Sequence, residues 1–387
     1  MKLIKNGRLI LPDQIVQGMA IVFSDHIEAI LPEAEATAKY PDAEILDAEG
    51  NYVSPGLVDV HSHVCGCHDT CDNTPGAIQE MSRMVAGFGV TSWLPTTMTY
   101  PLDYLRVTFS QIREAKADSE KDAAAWGGAQ VLGTHMEGPF IDVTKMGAQN
   151  PDYISAPNAA FTKEYEDIIR IVTIAPNVPG GMEFIEEITK DTNIVCSLGH
   201  TGANYDCAKA AFAKGADHVT HLFNAQTGLH HRDPGMVGAA LTSPEVYTEM
   251  ICDTFHIHPG VFQLVCDCKG DHLVLITDCM KAGGLPDGKY DLGGQDVFVT
   301  GIKCTLASGT IAGSVLRLNK AVQNVYKNTN WPLEKAVFAA SLAPARSIRM
   351  DKKKGSLEPG KDADILIADS DFEILTTFVR GEKVYER

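Results

Sequence analysis

The sequence lacks several features that would assign it to a membrane or to the secretory pathway. No apolar run of the 387 residues has the length needed to cross a bilayer. The first residues, MKLIKNGRLILPDQ, contain neither the apolar core nor the small-residue cleavage site of a secretory signal. The ten cysteines are too scattered for the disulfide framework of a small secreted domain. These absences predict a cytoplasmic protein with reduced thiols and no membrane partner.

Basic residues are also few. The chain has 33 Lys and Arg residues against 50 Asp and Glu residues, which gives a formal net charge of −17. A field of this sign repels polyanions and argues against nucleic acid as a partner. A small anionic substrate remains compatible with it, because one or two Arg or His side chains dominate at contact distance.

Internal repeats, low-complexity tracts and a Gly-rich phosphate-binding loop are absent as well. With 44% hydrophobic residues, a chain of this length fits one large barrel and a small accessory domain. Both ends read as short strands with turns, including ILIA after a Pro-Gly turn and a hairpin in FVRGEKVYE. We expect residues 1–54 and 346–387 to pair into one small β-sandwich domain.

Eight short apolar runs lie between the two ends. They are GLVDVHSH, VTSWLPTT, VLGTHME, IVTIAP, IVCSLGH, HVTHLFNA, TEMICD and HLVLITD. Helical patterns such as AIQEMSRMVAGFG separate them, which is typical of buried parallel strands with crossover helices. The pattern predicts an α/β fold, a (β/α)8 TIM-type barrel over residues 55–345 that a helical segment near 315–349 closes. An open doubly wound sheet has a similar periodicity and is the alternative.

The first apolar run ends in a His-x-His pair, His61 and His63. Residues two apart on a strand point to the same side, so both imidazoles can reach one metal ion. Two buried core histidines are the simpler interpretation of the pair taken alone. Further ligand-type residues at other strand ends favour the metal. They are Glu137 in THMEGPF, His200 in SLGHTG, His221 in HVTHLF and Asp278 in LITDCM.

Strand ends of a barrel converge at its carboxyl face, so these residues become neighbours there. Imidazole nitrogen and carboxylate oxygen together suit a divalent metal ion, Zn²⁺ or Fe²⁺, with one or two ions per subunit and a water in an open position. Asp278 is placed to act as general base and then as general acid for a leaving amine. A role as a metal ligand remains open for the same residue.

Longer segments resemble the N-acetylglucosamine-6-phosphate deacetylases of the amidohydrolase superfamily, nearly from end to end. The segments are PGLVDVHSH, THMEGPF, GHTGANYDCA, HLFNAQTGLHHRDPGMVGAAL, DTFHIHP, LITDCMKAGGLPDGKYDLGG, GTIAGS and KGSLEPGKDADILI. The resemblance implies release of acetate from N-acetylglucosamine 6-phosphate and a homodimer. It also implies that Glu137, His200 and His221 hold the principal metal and that Asp278 is the catalytic acid and base. Family members with a His-x-His pair can bind a second ion.

The resemblance also assigns substrate contacts. Asn224 and Ala225 would contact the sugar, and Ile311, Ala312 and Gly313 would lie against the substrate. Arg232 and His256 would bind the 6-phosphate, and a guanidinium suits that role because it forms bidentate hydrogen bonds with phosphate. A surface ion pair with Asp233 is the simpler interpretation of Arg232.

Two stretches depart from the family pattern. Where the family has a His-Asn-Pro triplet, this chain reads GAQNP, with Gln149 at the position of the His and Ala148, a further expected substrate contact, before it. A Gln amide donates a hydrogen bond but carries no charge. The loop FNAQTGLHHR also lacks the usual Met and Pro. A different amino sugar phosphate, or another amide or cyclic amide, is therefore the alternative substrate.

Three cysteines follow the His-x-His pair in HSHVCGCHDTCD. The spacing of Cys65, Cys67 and Cys71 does not match a zinc-binding motif, and packing thiols are the expected interpretation. Metal coordination by Cys65 or Cys67, or sensitivity of the site to oxidation, is the alternative.

Overall fold

The computed structural model describes residues 1–387, and two β-sheets lie beside the barrel, one of amino-terminal strands and one that both ends of the chain share. The amino-terminal elements are β1 (Lys2–Lys5), β2 (Arg8–Ile10), β3 (Ile15–Val16), β4 (Met19–Phe23), β5 (Ile27–Pro32), α1 (Glu33–Lys39), β6 (Glu44–Asp47) and β7 (Tyr52–Pro55). One sheet has the strand order β5-β4-β1-β6. In it β1 runs parallel to β6 and antiparallel to β4.

Nine short strands form the barrel wall. They are β8 (Leu57–Ser62), β9 (Val90–Thr97), β10 (Gln130–Val131), β11 (Thr134–Glu137), β12 (Ile169–Ile174), β13 (Val195–Leu198), β14 (His218–Val219), β15 (Tyr247–Ile251) and β16 (Leu273–Ile276). All of their pairings are parallel. The eight predicted apolar runs supply them, because VLGTHME divides at Leu132 and Gly133 into β10 and β11. The prediction of a parallel barrel is confirmed.

The wall is nearly closed where its first and last strands meet. There the Asp278 amide donates to the carbonyl oxygen of His61 at 2.9 Å. The hydroxyl of Thr277 donates to Asp59 at 2.6 Å. These bonds join the ends of β16 and β8, which brings two of the predicted site residues together.

Helices cover the outside of the barrel. They are α2 (Ala77–Ala86), α3 (Leu102–Lys121), α4 (Ala123–Trp126), α5 (Ala159–Glu164), α6 (Gly181–Asp191), α7 (Tyr205–Ala213), α8 (Gly235–Leu241) and α9 (Phe262–Lys269). Short 3₁₀ helices span Thr70–Asp72, Val143–Lys145, Pro151–Tyr153, Pro259–Val261 and Gly270–His272. Side-chain caps begin some of the helices: Asn158 accepts from the Phe161 amide before α5, and Asn204 from the Cys207 amide before α7. No helix combines the length and the apolar character that crossing a bilayer requires.

A three-stranded antiparallel sheet follows the last barrel strand. Its strands are β17 (Gly288–Leu292), β18 (Gln295–Thr300) and β19 (Lys303–Leu306). A small apolar cluster that includes Met98, Met280 and Val297 joins it to the barrel. The sheet therefore lies over one side of the carboxyl face of the barrel.

The chain then returns through helices to the terminal sheets. These last elements are α10 (Leu318–Asn328), α11 (Leu333–Ala340), α12 (Leu342–Ser347), β20 (Ile365–Ala368), β21 (Ile374–Val379) and β22 (Glu382–Glu386). The second sheet has the order β22-β21-β20-β7-β2-β3, so strands from both ends share it. The predicted hairpin is β21 and β22, which pair antiparallel. The domain boundaries at residues 54 and 346 stay predictions.

Candidate active site and metal centre

The six side chains singled out as metal ligands or as the acid and base meet at the carboxyl ends of the barrel strands. All six are buried. His61 lies near the end of β8 and His63 directly follows it, Glu137 ends β11, and His200, His221 and Asp278 follow β13, β14 and β16. Their ligand atoms form two groups of three. This end of a parallel barrel is where enzymes of this fold carry their active sites.

The first group contains Glu137, His200 and His221. Oε1 of Glu137 lies 3.1 Å from Nε2 of His200 and 3.0 Å from Nε2 of His221. The two imidazole nitrogens are 3.1 Å apart. Two nitrogens and one carboxylate oxygen facing a common point form the donor set that a borderline cation such as Zn²⁺ accepts.

The second group contains His61, His63 and Asp278. Oδ1 of Asp278 lies 3.6 Å from Nε2 of His61 and 3.3 Å from Nε2 of His63. Glu137 adjoins this group too, because its Oε1 is 3.3 Å from His61 and its Oε2 is 3.2 Å from His63. Glu137 thus lies between the two groups, with Oε1 near both of them and Oε2 near His63.

Hydrogen bonds behind three of the four histidines direct their Nε2 atoms into the site. Nδ1 of His61 pairs with Glu249 at 2.8 Å, Nδ1 of His63 with the Thr96 carbonyl at 3.2 Å, and Nδ1 of His200 with the Lys145 carbonyl at 2.9 Å. An Nδ1–H donor leaves the Nε2 lone pair free for a metal. Nε2 of His61 is buried and has no hydrogen-bond partner. The residues present therefore fit a divalent metal ion.

Glu249 on β15 was missed by sequence reasoning. Its Oε2 accepts both from the His61 ring and, at 3.0 Å, from the His221 amide. Burial opposes its ionisation, but the charge and hydrogen bond of His61 bring the pKa of Glu249 to about 2. The carboxylate thus orients ligands of both groups. Its only signal in the sequence was an acidic residue inside the apolar run TEMICD.

Asp59 on β8 is a second buried carboxylate that the sequence did not reveal. It accepts from the Thr277 hydroxyl and, at 3.3 Å, from the His61 amide. Burial raises the pKa of Asp59 to about 7. Asp59 precedes His61 by two residues on β8, and its hydrogen bond fixes Thr277, the residue before Asp278. Both carboxylates act on the geometry of the site from outside its cavity.

Asp278 faces the cavity from the junction of β16 and β8. Burial raises the pKa of Asp278, but hydrogen bonding to His63 and the charges of His61 and His63 outweigh burial and bring it to about 2. Its φ of 49° lies in the left-handed region, as do those of His200 (45°) and His221 (28°). Non-glycine residues there carry backbone strain, which clusters at functional sites.

A cavity of about 280 Å³ opens above the two groups. Its wall consists of His63, Met98, Glu137, Gly147, Ala148, Gln149, His200, His221, Asn224, Ala225, His256, Asp278, Leu292, Thr310, Ile311 and Gly313. Seven of the nine residues predicted to contact substrate belong to this wall. The other two are Ala312 and Arg232.

Ala312 and Arg232 lie outside that wall. Ala312 is fully buried in the small apolar cluster beneath β17–β19. Arg232 is exposed on the loop after β14, where its Nη1 lies 2.7 Å from Nε2 of His231. No Lys or Arg side chain lines the cavity of the single chain.

Gln149 is held in one orientation beside Glu137. Its Oε1 accepts from the Thr99 amide at 2.7 Å, and its Nε2 donates to Oε2 of Glu137 at 2.8 Å. The amide NH₂ therefore faces the cavity side, and its second N–H remains available. The residue is 4% exposed.

His256 faces the cavity with a carboxylate behind it. Its Nδ1 pairs with Asp253 at 2.7 Å, and Asp253 also accepts from the Phe255 amide and the His256 amide at 2.9 and 2.8 Å. This pair fixes the ring and leaves Nε2 as the atom nearest the cavity. Sequence reasoning found His256 but missed Asp253, although both lie in DTFHIHP.

The three cysteines after β8 do not enter either ligand group. Cys65 and Cys71 are buried and Cys67 is exposed, and none forms a disulfide. Burial raises the pKa of Cys65 to about 12 and also raises that of Cys71. The Cys71 sulfur accepts from the Met98 amide at 3.4 Å. The burial of Cys65 and Cys71 agrees with packing thiols, whereas Cys67 is a surface thiol.

The chain is similar to known proteins over almost its whole length. Residues 52–384 match the model of the amidohydrolase family. The N-acetylglucosamine-6-phosphate deacetylase of Vibrio furnissii is 37% identical over 86% of this chain and 82% of its own. The N-acetylgalactosamine-6-phosphate deacetylase of Escherichia coli O157:H7 is 34% identical over 92% of this chain and 94% of its own. The crystal structure of N-acetylglucosamine-6-phosphate deacetylase from Pasteurella multocida superposes with a TM-score of 0.91 at 30% identity, covering 100% of both chains. The chain belongs to the amidohydrolase family and is a hydrolase of carbon–nitrogen amide bonds.

Proposed function

We propose that this enzyme removes the acetyl group of N-acetylglucosamine 6-phosphate to give glucosamine 6-phosphate and acetate, a step of amino sugar metabolism. The observation that carries the proposal is the pair of ligand groups, with Glu137 of one group also contacting His61 and His63 of the other, at the base of a cavity. Gln149, Asn224 and His256 also line this cavity. The resemblance to deacetylases of amino sugar phosphates supports the substrate class.

The reaction needs a nucleophilic water, a donor to the acetyl oxygen and a proton for the leaving nitrogen. A bound divalent cation lowers the pKa of water and polarises a carbonyl. Asp278 accepts the proton of the attacking water and transfers it to the amide nitrogen as the carbon–nitrogen bond breaks. Water and amide thereby yield acetate and amine, and Asp278 returns to its starting state.

The remaining wall residues would orient the substrate. The second N–H of Gln149 donates to the acetyl oxygen, and donors placed where charge develops favour the transition state. Asn224, Ala225, Ala148, Ile311 and Gly313 surround the sugar, with Ala312 packed behind them. His256 donates to the 6-phosphate, and we assign Arg232 to the same phosphate on the family resemblance alone, because its loop lies outside this cavity wall.

Acetate release from purified, metal-loaded enzyme tests the proposal. N-acetylglucosamine 6-phosphate is compared with the N-acetylgalactosamine and N-acetylmannosamine 6-phosphates at equal concentration. We expect the highest kcat/KM with the glucosamine compound and no turnover of unphosphorylated N-acetylglucosamine. No turnover of any of the three by metal-loaded protein would contradict a deacetylase of amino sugar phosphates.

N-acetylgalactosamine 6-phosphate is the second candidate substrate. The relative from Escherichia coli O157:H7 that bears this name covers 92% of the chain, and Gln149 departs from the pattern of the glucosamine enzymes. A kcat/KM at least tenfold higher for the galactosamine epimer would select this candidate. The same chemistry and the same catalytic residues apply to both sugars.

We propose Zn²⁺ or Fe²⁺ as the metal and two ions as the capacity of the site. Changing His61→Gln and His63→Asn together should lower the bound metal from two ions per chain to one, because Glu137, His200 and His221 stay intact. Elemental analysis of protein reconstituted with Zn²⁺ measures this number. A control change of His230→Gln, on the exposed loop, should leave the number unchanged. One ion in both wild type and double variant would contradict a two-metal site.

Gln149→Leu should lower kcat by about a hundredfold to a thousandfold, the range found when one oxyanion donor is removed. Leu keeps the volume but supplies no N–H to the acetyl oxygen and leaves Glu137 and the Thr99 amide without their partner. Steady-state acetate release measures the loss, with Gln149→His as the variant that restores a donor. Equal activity of Gln149→Leu and wild type would remove Gln149 from the mechanism.

We further propose a cytoplasmic homodimer. The family resemblance supports the dimer, and the sequence composition supports the cytoplasmic location. Light scattering during size-exclusion chromatography tests the first, and fractionation of the source cells tests the second. A monomer at micromolar concentration would contradict the dimer.

A further inference from the structure

A second cavity lies at the end of the barrel opposite the active site. It has a volume of about 310 Å³ and opens at the amino-terminal ends of β10 and β12. Pockets for small ligands begin at about this size, near 300 Å³. Its charged lining residues are Lys116, Glu120, Arg170, Arg349, Lys352 and Lys353.

Five cationic side chains against one carboxylate make this cavity strongly basic in a chain whose net charge is −17. Lys116 lies 4.0 Å from Glu120, and Arg349 lies 3.3 Å from Asp217. Arg170, Lys352 and Lys353 form no ion pair. A cluster of like charges is unfavourable unless an anion offsets it.

Lys354, the next residue after Lys353, is by contrast neutralised by carboxylates of the same chain. Lys354 is 1% exposed and lies 2.7 Å from Asp362 and 2.9 Å from Asp364. Its two predecessors, Lys352 and Lys353, are exposed at the cavity and lack any such partner. The run of three lysines therefore divides into one structural ion pair and two free charges.

Arg170 is built into the cavity rather than left on the surface. Its Nε donates to the Leu132 carbonyl at 3.1 Å. A Cβ on Gly133 would lie 2.3 Å from the Ile168 carbonyl oxygen and 2.8 Å from Cγ of Arg170, so the glycine makes room for both the backbone and this side chain. Burial lowers the pKa of Arg170, and the charges of Glu120 and Asp167 offset this shift only in part. Its terminal nitrogens remain free to donate to an anion.

We propose that this cavity binds the phosphate group of a small phosphorylated metabolite. Arg170 would supply the planar pair of donors that suits phosphate, and Lys352 and Lys353 would add charge. The site lies at the opposite end of the barrel from Asp278 and His256. An occupant therefore does not compete with the substrate for space, and the proposal does not depend on which amide the enzyme hydrolyses.

Calorimetric titration of the metal-loaded enzyme with inorganic phosphate, at low ionic strength, tests the site. We expect the paired change Arg170→Gln and Lys353→Gln to weaken binding at one site at least tenfold. Lys327→Gln, which removes an exposed charge on α10, should not. The His256→Asn change should leave binding at this site unchanged, because it affects only phosphate bound in the active-site cavity. Acetate release should stay unchanged in the protein with both the Arg170→Gln and the Lys353→Gln change, which is called the cavity variant below.

Two results would overturn the proposal. If phosphate binding were lost in His256→Asn and unchanged in the cavity variant, all of the bound phosphate would lie in the active-site cavity. If Lys327→Gln weakened phosphate binding equally, the loss of affinity would be explained by the overall charge of the protein and not by this cavity. Lys353→Gln alone, at an exposed position, provides the same comparison if the Arg170 change impairs folding. Circular dichroism of each variant checks this.

Discussion

Asp278→Asn should reduce kcat for acetate release by about a hundredfold to ten-thousandfold, the range associated with one positioned acid and base. The Asn amide keeps the shape of the side chain but neither accepts the proton of water nor delivers it to the leaving nitrogen. The hydrogen bond from the Asp278 amide to His61 belongs to the backbone and should persist. Steady-state kinetics with the preferred sugar phosphate measure the loss.

Metal content separates the two roles that Asp278 can have. Its Oδ1 lies within 3.6 Å of His61 and His63, so the substitution also removes a candidate ligand. Elemental analysis of the same preparation shows whether an ion is lost with the activity. Asp296→Asn, an exposed aspartate on β18, is the matched control and should retain wild-type turnover. A fully active Asp278→Asn enzyme with its metal bound would exclude Asp278 as the acid and base.

The barrel could be predicted because its strands are buried on both faces. Such strands appear as continuous apolar runs, and the ligand residues end those runs where the fold requires them. The sheet β17–β19 left no comparable signal. Residues of β18 alternate between exposed and buried, but those of β17 do not, and the strands lie in a glycine-rich stretch that resembles turns. That sheet nevertheless contributes Leu292 to the cavity wall, so part of the site came from a segment that the sequence left without an assignment.

The residues behind the ligands were harder to find than the ligands. Glu249 sits inside β15 and Asp59 inside β8, where a carboxylate has no positional signal until the strands are placed side by side. Each gains its role from a partner far along the chain, such as the 188-residue separation of Glu249 and His61. For Arg232 the residue type was informative, but its position in the fold was not predictable. Its residue type predicted phosphate binding, but residue type alone did not reveal that its loop lies outside the cavity wall of a single chain.

Lys354→Met should lower the free energy of unfolding by about 3–5 kcal/mol, the usual cost of removing one partner from a buried ion pair. Lys354 bonds with Asp362, Asp364 and the Gln130 side chain between the barrel and the terminal sheet. Met fills a similar volume but leaves two aspartates, 8% and 5% exposed, without their cation. Urea denaturation in phosphate-free buffer measures the change.

Lys352→Met is the matched control for that experiment, two positions earlier in the same run of lysines. Its side chain is exposed and forms no ion pair, so the change should stay within about 0.5 kcal/mol. A difference of less than about 1 kcal/mol between the two variants would show that the terminal sheet does not depend on this ion cluster. A large difference, with kcat of folded Lys354→Met unchanged, would show that the terminal sheet stabilises the barrel without taking part in the chemistry at its opposite end.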